Sequence, residues 1–276
     1  MALTPATIPA LLERHGLRPS RALGQNFLAD ANTARRIVRL AGIDPGARVL
    51  EIGPGIGSLT VALLEAGAQV TALELDRHLI PALEETVGVG AVRVVNDDAL
   101  RVDLESVMAT ADRPWSVISN LPYNVATPIV MRLLDDAPQA TSMLVMVQRE
   151  VGERMAAGPG TKAYGAVSVK IAYYARADVV GLVPPSVFVP APKVESALVK
   201  IVRHPAPPVV VPSPARLFAL VRAGFGQRRK MLRGALRAEV GDDVGELLAA
   251  AGIDGAARAE TLTLEQWAAL ARVVDR

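Results

Sequence analysis

The 276-residue chain contains no cysteine. That excludes disulfides, thiolate catalysis and cysteine-ligated metal centres, and it suits a reducing compartment without requiring one. Histidine is almost as scarce. His15, His78 and His204 lie far apart, and none has the local spacing of a metal site, so surface or structural roles and no bound metal are expected. Lysine numbers only five, a bias of the kind that genomic base composition imposes. No apolar run approaches the roughly 20 residues that span a bilayer, and the N-terminus lacks a basic region followed by an apolar stretch and a cleavage site. These absences point to a soluble, cytoplasmic protein with no membrane partner. Repeats and low-complexity tracts are also missing. What remains is a chain that is 51% hydrophobic and long enough for two domains with sizeable cores.

Its most informative segment, Asn120-Leu121-Pro122-Tyr123, follows an apolar run, and a second motif stands upstream of it. Val49-Leu50-Glu51-Ile52-Gly53-Pro54-Gly55-Ile56-Gly57 reads as a buried strand entering a glycine turn, with a helical pattern through Leu59, Leu63 and Leu64 beyond it. The turn is E-x-G-x-G-x-G. It lacks the G-x-G-x-x-G spacing that seats a pyrophosphate on a helix N-terminus, and it is similar to motif I of the S-adenosylmethionine-dependent methyltransferases. A second strand, Gln69 to Leu73, delivers Glu74 near the spacing at which an acid meets a ribose diol. A third, Val92 to Val95, ends at Asp97 and Asp98. A fourth, Trp115 to Ser119, ends at Asn120-Leu121-Pro122-Tyr123. Strand ends in doubly wound sheets line one crevice, so these four converge on one ligand.

The tetrapeptide Asn120 to Tyr123 suits methylation of an aromatic exocyclic amine, whose lone pair is delocalised into its ring. Acceptors on Asn120 and Leu121 would hold the amine protons and favour tetrahedral geometry in the transition state. Pro122 restricts Leu121 to extended dihedrals, and Tyr123 offers a flat face to an unstacked base.

Taken together, the motifs resemble the KsgA/Erm family of ribosomal RNA adenine N6-methyltransferases. The likeness runs from about Leu23 to Leu236. It rests on Leu23-Gly24-Gln25-Asn26-Phe27-Leu28, the glycine loop, Glu74 to Arg77, Asn120 to Asn124, Val183 to Phe188, Pro192 to Ser196 and Phe225 to Lys230. The resemblance implies a class I α/β methyltransferase fold, with a seven-stranded, mostly parallel sheet, helices on both faces, an antiparallel hairpin, and a small all-α C-terminal domain. It implies S-adenosylmethionine as methyl donor, with Asn26, Leu28, Gly53, Gly55, Glu74, Asp98 and Asn120 around it. Asp98 rather than Asp97 is expected to take the cofactor adenine. Tyr123 and Phe188 are expected to sandwich the target base. A proline frame (Pro184, Pro185, Pro190, Pro192) can preset Phe188, although a core role is the commoner fate of a phenylalanine. The implied substrate is a pair of adjacent adenosines near the 3′ end of small-subunit (16S) ribosomal RNA, each methylated twice, in an immature 30S-type subunit. A monomer is expected.

Three other readings suit the sequence less well. The glycine spacing is wrong for a nicotinamide oxidoreductase. A DNA adenine methyltransferase would be expected to carry a base-reading domain. An assembly or transcription factor retaining the fold as an RNA- or DNA-binding module would not need Asn120 and the glycine loop intact.

The proline-rich stretch from His204 to Pro214 places a domain boundary near residue 207, with residues 1–207 catalytic and 208–276 helical. The first 22 residues read as an RNA-side arm. From Arg216 to Arg237 there are seven basic residues and no acid. Arg222, Arg228, Arg229, Lys230 and Arg233 are the expected RNA contacts, and Arg229, Arg233 and Arg237 would form one stripe on a continuous helix. An amphipathic stretch is expected from Val240 to Ala251. Thr263 and Gln266 form a capping-box pattern, and Asp30 and Gly42 bracket a helix from Ala31 to Ala41.

Overall fold

In the computed structural model, which describes residues 3–20, 23–108 and 113–274, local signals set the helix ends where the sequence places them. The Asp30 carboxylate accepts the backbone N–H groups of Asn32 and Thr33 at 3.1 and 3.2 Å, so the helix Ala31–Ala41 starts there. It stops at Gly42, whose φ of 69° is left-handed. The Thr263 N–H donates to Gln266 Oε1 at 2.9 Å while Thr263 Oγ1 accepts from Gln266 N–H at 3.3 Å, which closes the capping box.

The sheet contains seven strands: β1 (Arg48–Ile52), β2 (Gln69–Glu74), β3 (Arg93–Asn96), β4 (Trp115–Asn120), β5 (Ala140–Gln148), β6 (Ala175–Val183) and β7 (Ser196–Arg203). Their order is β3-β2-β1-β4-β5-β7-β6. The first five run parallel, and β7 is antiparallel to β5. Near-continuous burial along β1 and β2 is what a parallel strand covered on both faces requires. Strand order reverses between β1 and β4, so a crevice opens beyond their carboxyl ends. Phe27–Leu28 and Phe188–Val189 form a separate two-stranded ladder, with Leu28 opposite Phe188.

By internal packing the chain divides into two units, residues 1–152 with 178–203, and residues 153–177 with 204–276. The expected boundary near residue 207 differs from this division chiefly in 153–177. That segment joins the second unit because Tyr164, Val169 and Tyr173 are buried in its core with Leu217, Leu220 and Trp267. Within the segment expected to be an RNA-side arm, one helix packs into a core. Ile8, Leu11 and Leu12 of the helix Thr7–Arg14 are buried with Phe27, Ile56 and Leu79.

The basic segment is not one helix. The helix Pro214–Gly226 ends before Arg228, Met231 is extended (φ −64°, ψ 151°), and Leu232–Ala235 and Arg237–Val240 are separate short turns. Burial decides this: Leu232 and Leu236 enter the core of the second unit at 0% and 1% exposure, and the Leu232 N–H donates to Ala257 O. The stripe expected on a continuous helix is therefore absent. The stretch expected from Val240 to Ala251 is also shorter, because Gly241 at φ 89° interrupts it and the helix spans Val244–Ala250.

Gly57 caps the helix Ser58–Glu65 at φ 91°, and a Cβ there would lie 2.9 Å from Leu83 Cδ1 and 3.2 Å from Val87 Cγ1. Gly57→Ala should therefore destabilise the protein by about 2 kcal/mol, combining left-handed strain with overpacking. Urea unfolding checks this, and an unchanged midpoint would refute it.

Candidate active site

The crevice predicted by the strand order is a cavity in the first unit, lined by the carboxyl ends of β1, β2 and β4, the loop after β3, and the segment 23–28. It brings together Asn26, Leu28, Gly53, Gly55, Glu74, Asp98, Asn120, Leu121 and Tyr123. Nine sequence-predicted residues spread over about a hundred positions thus meet in one place.

Gly55 needs its lack of a side chain. Its φ is 59°, and a Cβ would stand 3.1 Å from the Phe27 ring. Its N–H donates to Glu74 Oε2 at 3.0 Å, while Glu74 Oε1 accepts from Asp76 N–H at 2.9 Å. Burial holds the Glu74 carboxyl above the usual range, and these two backbone donors offset only part of that rise. Each carboxylate oxygen has two lone-pair directions, so Glu74 retains acceptor capacity toward the cavity. Asn96 ties the ends of β2 and β3 together by donating from Nδ2 to Glu74 O at 2.7 Å.

Asp98 lines the cavity, whereas Asp97 turns its carboxylate to the Asp98 N–H at 2.7 Å. Asp98 Oδ1 accepts from Leu100 N–H at 2.9 Å. The loop is clamped from behind by Arg132, which donates to the carbonyls of Ala99 and Val102 at 2.8 and 2.5 Å.

Asn120 is held on one side only. Its Nδ2 donates to Asn26 O at 3.2 Å, and Asn26 Nδ2 donates to Gly24 O at 3.2 Å. Asn120 Oδ1 is buried with no hydrogen-bond partner. A buried carbonyl left unpaired is disfavoured by about 1–3 kcal/mol, so this atom is an acceptor waiting for a donor from the cavity. Leu121 is 1% exposed and donates its N–H to Met146 O at 3.1 Å, which fixes the turn to β5. Tyr123 is half-buried, with its hydroxyl 2.5 Å from Ser196 Oγ. Burial holds its pKa above that of a free phenol, with the Ser196 hydrogen bond opposing, so the phenol stays protonated near neutrality.

Phe188 does not line the cavity. It is 3% exposed and packs in the apolar cluster with Leu28, Ile37, Val38 and Leu198. The five expected RNA contacts all lie in the second unit, and all are exposed. Arg228 is engaged by Glu260 and by Lys162 O, at 2.8 and 2.6 Å. Arg222, Arg229, Lys230 and Arg233 have no acidic partner among the described residues. Arg237, outside the five, pairs with Asp242.

Sequence reasoning gave no role to several residues that shape the site. Gln25 accepts the Ser20 N–H and donates to Asp76 Oδ2 at 3.1 Å, tying segment 23–28 to the loop after β2. Glu51 lines the cavity at 1% exposure, and its Oε2 is unpartnered. Burial pushes its carboxyl up to about 8, with the neighbouring Thr60 hydroxyl opposing the rise and the Glu74 charge adding to it. Both belong to recognisable motifs, but their acid-base state and contacts arise only in the folded chain.

These features suit a nucleoside-bearing methyl donor and an amine acceptor. The cavity lies at the strand-order reversal, glycines admit a close ligand, a carboxylate stands at the end of β2, and an orphaned amide oxygen stands at the end of β4. The fold and site together define a class I S-adenosylmethionine-dependent methyltransferase. A family model for ribosomal RNA adenine dimethylase matches residues 17–276, and the chain belongs to that family. It is 49% identical to the ribosomal RNA small subunit methyltransferase A of Magnetococcus marinus, covering 96% of this chain and 95% of that protein. It is 46% identical to the protein of the same name from Alkaliphilus metalliredigens, covering 99% and 97%. Among solved structures, the 23S rRNA methyltransferase ErmE superposes with TM-score 0.68 at 27% identity, over 91% of this chain and 100% of that one. A dimethyladenosine transferase from Plasmodium falciparum shares the fold, with TM-score 0.71 at 22% identity over 88% and 95%.

Proposed function

We propose that this chain transfers methyl groups from S-adenosylmethionine to N6 of two adjacent adenosines near the 3′ end of small-subunit (16S) ribosomal RNA, within an immature 30S-type subunit. It would act as a monomer in the cytoplasm; among the described residues no helix is long and apolar enough to cross a membrane. The observation that carries the chemistry is the unpartnered, buried Oδ1 of Asn120 beside a cavity. The substrate is supported by the names of relatives that are 46–49% identical over nearly the whole chain.

In this reading Glu74 accepts from a ribose diol and Asp98 from an adenine amine. Gly53 and Gly55 let backbone approach the methionine portion, with Asn26 and Leu28 covering it. S-adenosylmethionine, when bound, supplies a methyl group on positively charged sulfur. Asn120 Oδ1 and the Leu121 carbonyl would accept hydrogen bonds from the target amine, keeping its lone pair out of conjugation and directed at the methyl donor. Tyr123 stacks on the extruded base. Phe188, as the second aromatic of the sandwich, would have to leave the buried position it occupies here. A transcription or assembly factor that kept the fold without the chemistry would not require an orphaned acceptor at that point.

The test is incubation with labelled methyl donor and immature small subunits, followed by nucleoside analysis. Dimethyladenosine is expected, and unmodified adenosine would overturn the reading. For the RNA surface, Arg229→Ala and Arg233→Ala should each weaken binding and flatten the dependence of log affinity on log salt by about 0.7–0.9. Slopes equal to wild type would place both side chains outside the interface.

A further inference from the structure

We propose that Ser196 is a positioning residue for the reaction, holding the Tyr123 ring so that its face meets the target base. This rests on the function proposed above.

Ser196 begins β7 opposite Gln148 and is 0% exposed. Its neighbour is anchored twice: Arg149 N–H donates to Glu195 O at 2.9 Å, and Arg149 Nη1 pairs with Glu195 Oε2 at 2.8 Å. The serine hydroxyl is therefore fixed to the sheet, 2.5 Å from Tyr123 Oη. Tyr123 itself sits on the turn after β4, where its ring torsion is intrinsically broad. A phenol O–H lies in the plane of its ring, so a partner at hydrogen-bond distance stands at the ring edge and leaves a face open. One bond thus fixes the ring's tip without occupying the surface on which a base would stack. It also commits the hydroxyl, so Tyr123 acts through its ring and not as an acid or base. In this structure the segment from Phe188 to Ser196 reaches Tyr123 through its last residue, with Phe188 packed in the apolar cluster.

Ser196→Ala and Tyr123→Phe each remove this link and keep the ring. Each should slow single-turnover methylation of immature subunits about tenfold, because small misplacements of a reacting group are strongly felt in rate. The Kd for adenosylhomocysteine should stay at the wild-type value, and the double variant should be no slower than either single one. Single variants that turn over like wild type, including any with a lowered Tm and unchanged rate, would overturn the positioning role, as would losses that multiply in the double variant. A wild-type protein that leaves adenosine unmethylated would instead remove the proposed function, and the role of Ser196 with it.

Discussion

Asn120→Ala is expected to reduce the single-turnover methylation rate by at least about a hundredfold while RNA binding persists. Loss of one preorganised polar group aimed at a transition state typically reduces turnover by about 10²–10³. Asn120 has the geometry for such an effect. Its Nδ2 is tethered to Asn26 O at 3.2 Å, so the amide cannot flip without setting one carbonyl against another. The tether forces Oδ1 to be the free atom, and that atom is buried and unpartnered. Alanine would remove the acceptor and leave Asn26 O without its donor, so some loss of stability accompanies the loss of rate. Asn120→Asp separates the two effects. It restores an oxygen at the acceptor position, but a carboxylate cannot donate to Asn26 O, and like partial charges would push it from the turn. Both variants should therefore be slow, with Asp no better than Ala. Rapid-quench measurement on RNA at saturating methyl donor, alongside an RNA-binding titration, decides the matter. A rate within tenfold of wild type for Asn120→Ala would refute the role assigned to its oxygen.

The site was more legible in the sequence than the surfaces around it. A parallel strand ends where its apolar run ends, so the order glycine loop, Glu74, Asp98, Asn120 could be read as four points along one crevice, and all four line it. Of the two neighbouring aspartates Asp98 lines the cavity, while the Asp97 carboxylate accepts the adjacent backbone N–H. Phe188 was less legible because its surroundings are remote in sequence. Leu28 stands opposite it across a two-residue ladder, and Ile37 and Leu198 belong to its cluster. The basic segment shows a different limit. A four-residue spacing of arginines is compatible with a helix, yet Leu232 and Leu236 have the same spacing, and their burial determines how the backbone is divided. Charge at the surface cannot outweigh about 1.5–3 kcal/mol per buried leucine. Packing likewise draws 153–177 to the helical unit, through Tyr164 and Tyr173.

Glu51→Gln should remove a marked loss of stability that wild-type protein suffers as pH rises. The Glu51 carboxyl is enclosed at 1% exposure, near the carboxylate of Glu74, and burial lifts it from 4.5 to about 8. An acid whose folded value is raised favours folding fully only below its unfolded value. The stabilisation is then lost between about pH 4.5 and 8, as the unfolded chain ionises and the folded one resists. A rise of that size corresponds to at most roughly 5 kcal/mol. Relaxation of a buried site makes about 3 kcal/mol the practical expectation. Glutamine has nearly the same shape and cannot ionise. Its extra N–H groups are carried equally at every pH, and the remaining titrating groups are common to both proteins. Comparing the two proteins' stability changes between pH 5 and 8.5, by guanidinium unfolding without ligand, therefore isolates the Glu51 ionisation. Wild type should lose about 3 kcal/mol more than Glu51→Gln over that interval. Equal losses would mean that Glu51 ionises freely in the folded chain, and that water reaches an oxygen found here without a partner.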